Sequence, residues 1–84
     1  MEKAAAPVAY ILFGTSACHL CEVAEEMLEA LARASGGVAF EKVDISESDE
    51  LFRRYGVSIP VLRNPEGQEL NWPFTATQLQ DFVG

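Results

Sequence analysis

VAYILFGTSACHLCEVAEEMLEALARA, residues 8–34, is the stretch on which the fold turns. It opens with a continuous apolar run, Val8 to Phe13, closed by Gly14. A short run rich in β-formers reads as a strand covered on both faces. Thr15-Ser16-Ala17 is then a loop. From Cys18 to about Ala34 the apolar residues Leu20, Ala24, Met27, Leu28 and Leu31 recur at helical spacing and make one face. Glu22, Glu25, Glu26, Glu29 and Arg33 fall mostly on the other side, as a solvated surface. Ser35-Gly36-Gly37 ends the helix, since glycine readily adopts the backbone that follows a last helical turn.

Downstream, Val38 to Ile45 reads as a second strand. Ser46 or Ser48 can start a short helix by capping its free amides. That helix runs to about Tyr55 and stops at Gly56. Val57-Ser58-Ile59 leads into Pro60, and Val61-Leu62-Arg63 is a third strand. Asn64-Pro65-Glu66-Gly67 has the composition of a hairpin turn, with Gln68 to Asn71 returning antiparallel. Thr75 or Thr77 can cap a last helix through Leu79 and Phe82 to Val83. The order is β-α-β-α-β-β-α. Strands separated by helices imply parallel pairing and a tight turn an antiparallel pair. The expectation is an α/β fold with a mixed four-stranded sheet.

The chain has 84 residues, enough for one domain spanning 1–84, and nearly half of them are apolar. Its net charge is −7 with only six Lys and Arg. A nucleic-acid binder needs clustered positive charge against the phosphates, and Arg53-Arg54 is the one adjacent basic pair. Nucleic acid is therefore excluded as a partner. No stretch approaches the ~20 apolar residues of a membrane-spanning helix, so no membrane partner is expected. Residues 4–13 are mostly apolar, but Glu2 offsets Lys3 and Pro7 interrupts the run, which does not fit a signal peptide.

The chain carries two cysteines, in Cys18-His19-Leu20-Cys21. A stapled secreted domain of this size usually carries more, so the pair reads as chemistry or metal binding. Its placement between a strand and the start of a helix is chemically useful. A thiolate is the attacking species in disulfide exchange, and the positive end of a helix favours it. Three-residue spacing on a helix brings both sulfurs together, so one thiol can resolve a mixed disulfide formed by the other. Cys18, nearer the helix end, is the candidate nucleophile and Cys21 the shielded resolving thiol. His19 can tune Cys18 electrostatically or contact a partner. Two other readings remain open. The pair can be half of a zinc site, which needs about four ligands and hence a second chain, or it can be an inert buried pair. No metal site is assigned within one chain.

FGTSACHLC, FEKVDISESDELFRRYGVSIPVL and EGQELNWPF together resemble a small bacterial glutaredoxin-like protein of the thioredoxin-fold superfamily. The likeness runs from Val8 to Val83. It implies a thioredoxin-like fold of minimal glutaredoxin type and a dithiol–disulfide oxidoreductase activity. It also implies a cis Ile59–Pro60 bond beside the cysteines, with the Ile59 backbone pairing an extended substrate and Pro60 shaping the groove. Thr15 and Trp72 are candidate groove edges, although Trp72 and Phe74 equally suit core packing. The sequence departs from dithiol glutaredoxins in three places. Thr15-Ser16-Ala17 replaces the usual Lys before the first cysteine, and His19-Leu20 replaces Pro-Tyr. Asn71 to Thr77 lacks the Gly-Gly-Asp segment that holds glutathione. These departures point away from strong glutathione use. The expected partner is a disulfide-containing protein or small thiol substrate. An external thiol or reductase would supply electrons and no cofactor would be bound. A cytoplasmic monomer is expected. The alternative is a non-catalytic binding module whose cysteines are vestigial or hold metal between chains.

Overall fold

The computed structural model describes residues 10–35 and 39–83. The expected features on Val8, Ala9, Gly36, Gly37 and Val38, and those on residues 1–7, lie outside the described residues. Strand β1 is Tyr10–Gly14, helix α1 His19–Ser35 and strand β2 Phe40–Asp44. A 3₁₀ turn, Ile45–Glu47, leads to helix α2, Asp49–Tyr55. Strands β3, Val61–Arg63, and β4, Glu69–Asn71, form a hairpin, and helix α3, Ala76–Val83, closes the described chain.

The sheet order is β2-β1-β3-β4. β1 and β2 are parallel, with Tyr10 opposite Phe40 and Gly14 opposite Asp44, as a helical crossover between them requires. β3 departs from the expectation that helix-separated strands run parallel. It lies against the far side of β1 and runs antiparallel, with Phe13 opposite Val61 and Ile11 opposite Arg63. The reason is the reach of α2. It is only seven residues long, and it stays at one end of the sheet, where Ile45 and Tyr55 pack with Phe13 and Val61. β3 starts at the end where β1 finishes, so it must run back.

β1 is covered on both faces because its residues alternate between two cores. Leu12 packs with Ala24 and Leu28 of α1, Leu62 of β3, Phe74, and Leu79 of α3. Phe13 packs on the opposite face with Ile45, Tyr55 and Val61. Within α1 the buried stripe is Cys21, Ala24 and Leu28. Leu20, expected on that stripe, is 45% exposed, and Cys21 takes its place. The expected solvated face also has an exception, since Glu25 is half-buried.

Local chemistry sets the boundaries. Ser48 caps α2, its hydroxyl accepting from the Leu51 amide. Asp44 caps the 3₁₀ turn by accepting from the Ser46 amide at 2.9 Å and the Ser46 hydroxyl at 2.7 Å. These two bonds hold its carboxyl below the ordinary range. Thr75, not Thr77, caps α3. Its hydroxyl accepts from the Gln78 amide while the Gln78 side chain accepts from the Thr75 amide, a reciprocal cap. In the hairpin the buried Asn64 side chain accepts from the Glu66 and Gln68 amides, and Gly67 supplies a φ of 91° that other residues rarely adopt.

Candidate functional site

Cys18 and Cys21 form a disulfide with their Cα atoms 5.2 Å apart. Cys18 is the residue before α1, and its carbonyl accepts the first helical bond, from the Glu22 amide. Its sulfur accepts a hydrogen bond from the Cys21 amide at 3.0 Å. An amide directed at this sulfur, at the positive end of a 17-residue helix, favours a thiolate there once the bond opens. Cys18 is partly exposed, whereas Cys21 is 7% exposed. One sulfur is therefore accessible and the other shielded.

Gly14 makes this seating possible. A Cβ at Gly14 would lie 2.8 Å from the Cys21 sulfur, so the end of β1 must lack a side chain for α1 to bring its second cysteine against the sheet. Thr15 follows and lines, with Gly14 and Cys21, a cleft of about 420 Å³. That places Thr15 and Cys21 on the wall of one cleft.

The Ile59–Pro60 and Trp72–Pro73 peptide bonds are both cis. Continuing the β1–β3 register by one residue sets Pro60 opposite Gly14, and the Trp72 amide donates to the Pro60 carbonyl at 3.2 Å. Gly14, Pro60 and Trp72 thus form one row at the end of the sheet that carries the cysteines. Within that row the Pro60 ring is fully buried and Ile59 half-buried, so Pro60 acts through the course of the chain. The Ile59 amide already donates to the Tyr55 carbonyl at 3.1 Å. Trp72 packs against the α1–α3 core and meets Phe74 edge to face at 5.0 Å, so its ring serves packing. The His19 side chain is 84% exposed and stands 4.0 Å from Glu22 on its own helix. Among the described residues no group of three or more His, Cys, Asp and Glu is arranged to hold a metal ion. No helix among them is long and apolar enough to cross a membrane.

A family model described as Glutaredoxin-like domain (DUF836) matches residues 10–84. The chain belongs to this glutaredoxin-like family. Among solved structures it is similar to the X-ray structure of XcR50 from X. campestris. The two share 44% identity over 89% of this chain and 95% of the other, with a TM-score of 0.79. The solution structure of protein Ne2328 from Nitrosomonas europaea is 26% identical over 100% of both chains, with a TM-score of 0.76. Oxidised mitochondrial thioredoxin 3 from Saccharomyces cerevisiae is 23% identical over 89% of this chain and 74% of the other. Its TM-score of 0.61 places the glutaredoxin-like chain in the thioredoxin fold. No curated protein matches the sequence.

Two features of the neighbourhood escape sequence reasoning. The Tyr55 hydroxyl bonds both Arg63 and Glu69, and the Arg63 guanidinium lies 5.1 Å over the Phe13 ring. Lys42 of β2 reaches Glu25 of α1 at 3.1 Å. Its signal in the sequence was a lone lysine inside the strand run FEKVD, with a glutamate one helical turn beyond Cys21.

Proposed function

We propose that this glutaredoxin-like protein is a dithiol–disulfide oxidoreductase that reduces protein disulfides or mixed disulfides. The unequal seating of the cysteines carries the reading: Cys18 is partly exposed with an amide on its sulfur, and Cys21 is buried against Gly14. In the reduced protein the Cys18 thiolate attacks one sulfur of the substrate disulfide, and the other leaves as a thiolate that takes up a proton. Cys21 then attacks the Cys18 sulfur of the mixed disulfide. The Cys18–Cys21 bond forms and the second substrate thiol departs, so two electrons have passed to the substrate. An external thiol or a reductase returns them, and no bound cofactor is needed. Pro60 shapes the chain beside the pair, the Ile59 carbonyl is available to an extended substrate, and His19 contacts partners from its exposed position. The protein acts as a monomer in the cytoplasm.

The test is a redox titration in glutathione buffers, with alkylation and intact-mass readout of both cysteines. A reversible two-electron transition between about −270 and −120 mV, the span of related oxidoreductases, is expected. If no intramolecular disulfide forms at any buffer ratio, the dithiol reading fails and a non-catalytic binding module replaces it.

A further inference from the structure

We infer that Glu25, held by Lys42, is the proton acceptor for Cys21 in the resolving step. This rests on the dithiol reading and deepens it. The resolving thiol must lose its proton before it can attack, yet Cys21 is 7% exposed and packed against the end of β1. A thiol in such surroundings holds its proton. What Cys21 does touch is the cleft of about 420 Å³ between α1 and β2, roomy enough for several waters at about 30 Å³ each. Glu25 lines the same cleft. It lies four residues beyond Cys21 on α1, a spacing that puts both on one side of the helix.

Glu25 also differs from its neighbours. Glu22, Glu26 and Glu29 of α1 are exposed, whereas the Glu25 side chain is 27% exposed. Lys42 accounts for this. It pairs with Leu12 across β1 and β2, which puts it on the α1 face of the sheet, and its ammonium lies 3.1 Å from one Glu25 oxygen and 3.3 Å from the other. The pair anchors a carboxylate at the cleft wall. The other charged groups lining the cleft are Glu22 from α1 and Asp44 from the end of β2. Glu22 is exposed beside His19 and Asp44 bonds Ser46 from the end of β2, whereas Glu25 is half-buried on the Cys21 side of α1.

The step balances. The Cys21 proton passes through cleft water to the Glu25 carboxylate, and the Cys21 thiolate attacks the Cys18 sulfur. The Cys18–substrate bond breaks, the substrate sulfur leaves as a thiolate, and Glu25 returns its proton through cleft water to that sulfur, or to solvent where the leaving thiolate stays ionised.

The experiment follows the reduced protein with an aromatic disulfide whose thiolate absorbs light. Attack by Cys18 releases one thiolate, and resolution by Cys21 releases the second in a slower phase. Glu25→Gln should slow the second phase about tenfold near neutral pH, the low end for general-base assistance because the cleft is open. The first phase should be unchanged, and the deficit should close at alkaline pH, where hydroxide takes the proton. Glu25→Asp should restore part of the rate, and the exposed Glu29→Gln should match the wild type. If Glu25→Gln follows the wild-type pH profile of the second phase, or slows both phases equally, Glu25 has no such role and the dithiol reading stands. If the wild type releases one thiolate per protein and no second, both readings fall.

Discussion

Under α1 and α3 the sheet is closed by aliphatic volume, with Leu12, Leu28, Leu62 and Leu79 at 2% exposure or less. Under α2 it is closed by directional contacts. Phe13 and Tyr55 stack with centroids 4.4 Å apart, Arg63 lies over Phe13, and the Tyr55 hydroxyl bridges Arg63 and Glu69. The first face must hold a helix at a fixed height, because the depth of Cys21 depends on it. Close packing does this well, since interiors yield little once filled. The second face carries a short helix and the segment that enters Pro60, and there stacking and ion pairs set orientation. The contrast is between a face that fixes distance and a face that fixes direction.

The sharpest way to break the contrast is at Leu28, which is fully buried. Leu28→Ala should cost about 2–5 kcal/mol by urea denaturation, from lost burial and the cavity left behind. A loss no larger than that of a substitution on the α2 face would remove the distinction. Gly14→Ala comes next. Its Cβ would meet the Cys21 sulfur, so α1 must shift. A cost of about 1–3 kcal/mol is expected, as for other overpacked positions, together with slower closure of the disulfide, read by alkylation after oxidant. Unchanged closure would show that α1 is free to move.

Tyr55→Phe is the smallest and probes the other face. It should cost about 1 kcal/mol near neutral pH, because the Arg63–Glu69 contact at 3.2 Å survives it. Burial pushes the Tyr55 phenol above its ordinary range, and the Glu69 carboxylate adds to this against the opposing Arg63. A raised folded-state pKa means that Tyr55 contributes its full stability below about pH 10, the unfolded value. That contribution is lost as pH rises through the folded value. The advantage of the wild type over Tyr55→Phe should therefore shrink in alkali. A constant difference would place the hydroxyl in water.

Most of the fold could be read from local pattern. The apolar run into Gly14, the spacing of Ala24, Leu28 and Leu31, the caps and the hairpin turn are each decided within a few residues. The direction of β3 was not legible, because it depends on how far α2 travels, a property of packing. Leu20 was misplaced for a similar reason: the buried stripe begins at Cys21, since Gly14 leaves room for a sulfur there. The cysteine pair was legible because its spacing is its chemistry. Glu25 was not, for it looks like any other glutamate until the register of β1 with β2 sets Lys42 across from it.

The end-of-sheet row of Gly14, Pro60 and Trp72 has one further consequence. The chain contains a single tryptophan, and it stands two strand spacings, about 10 Å, from the residue on which Cys21 rests. The molecule thus carries its own lamp beside the sulfurs. Its indole emission samples one place alone, and every opening or closing of the disulfide occurs within sight of it.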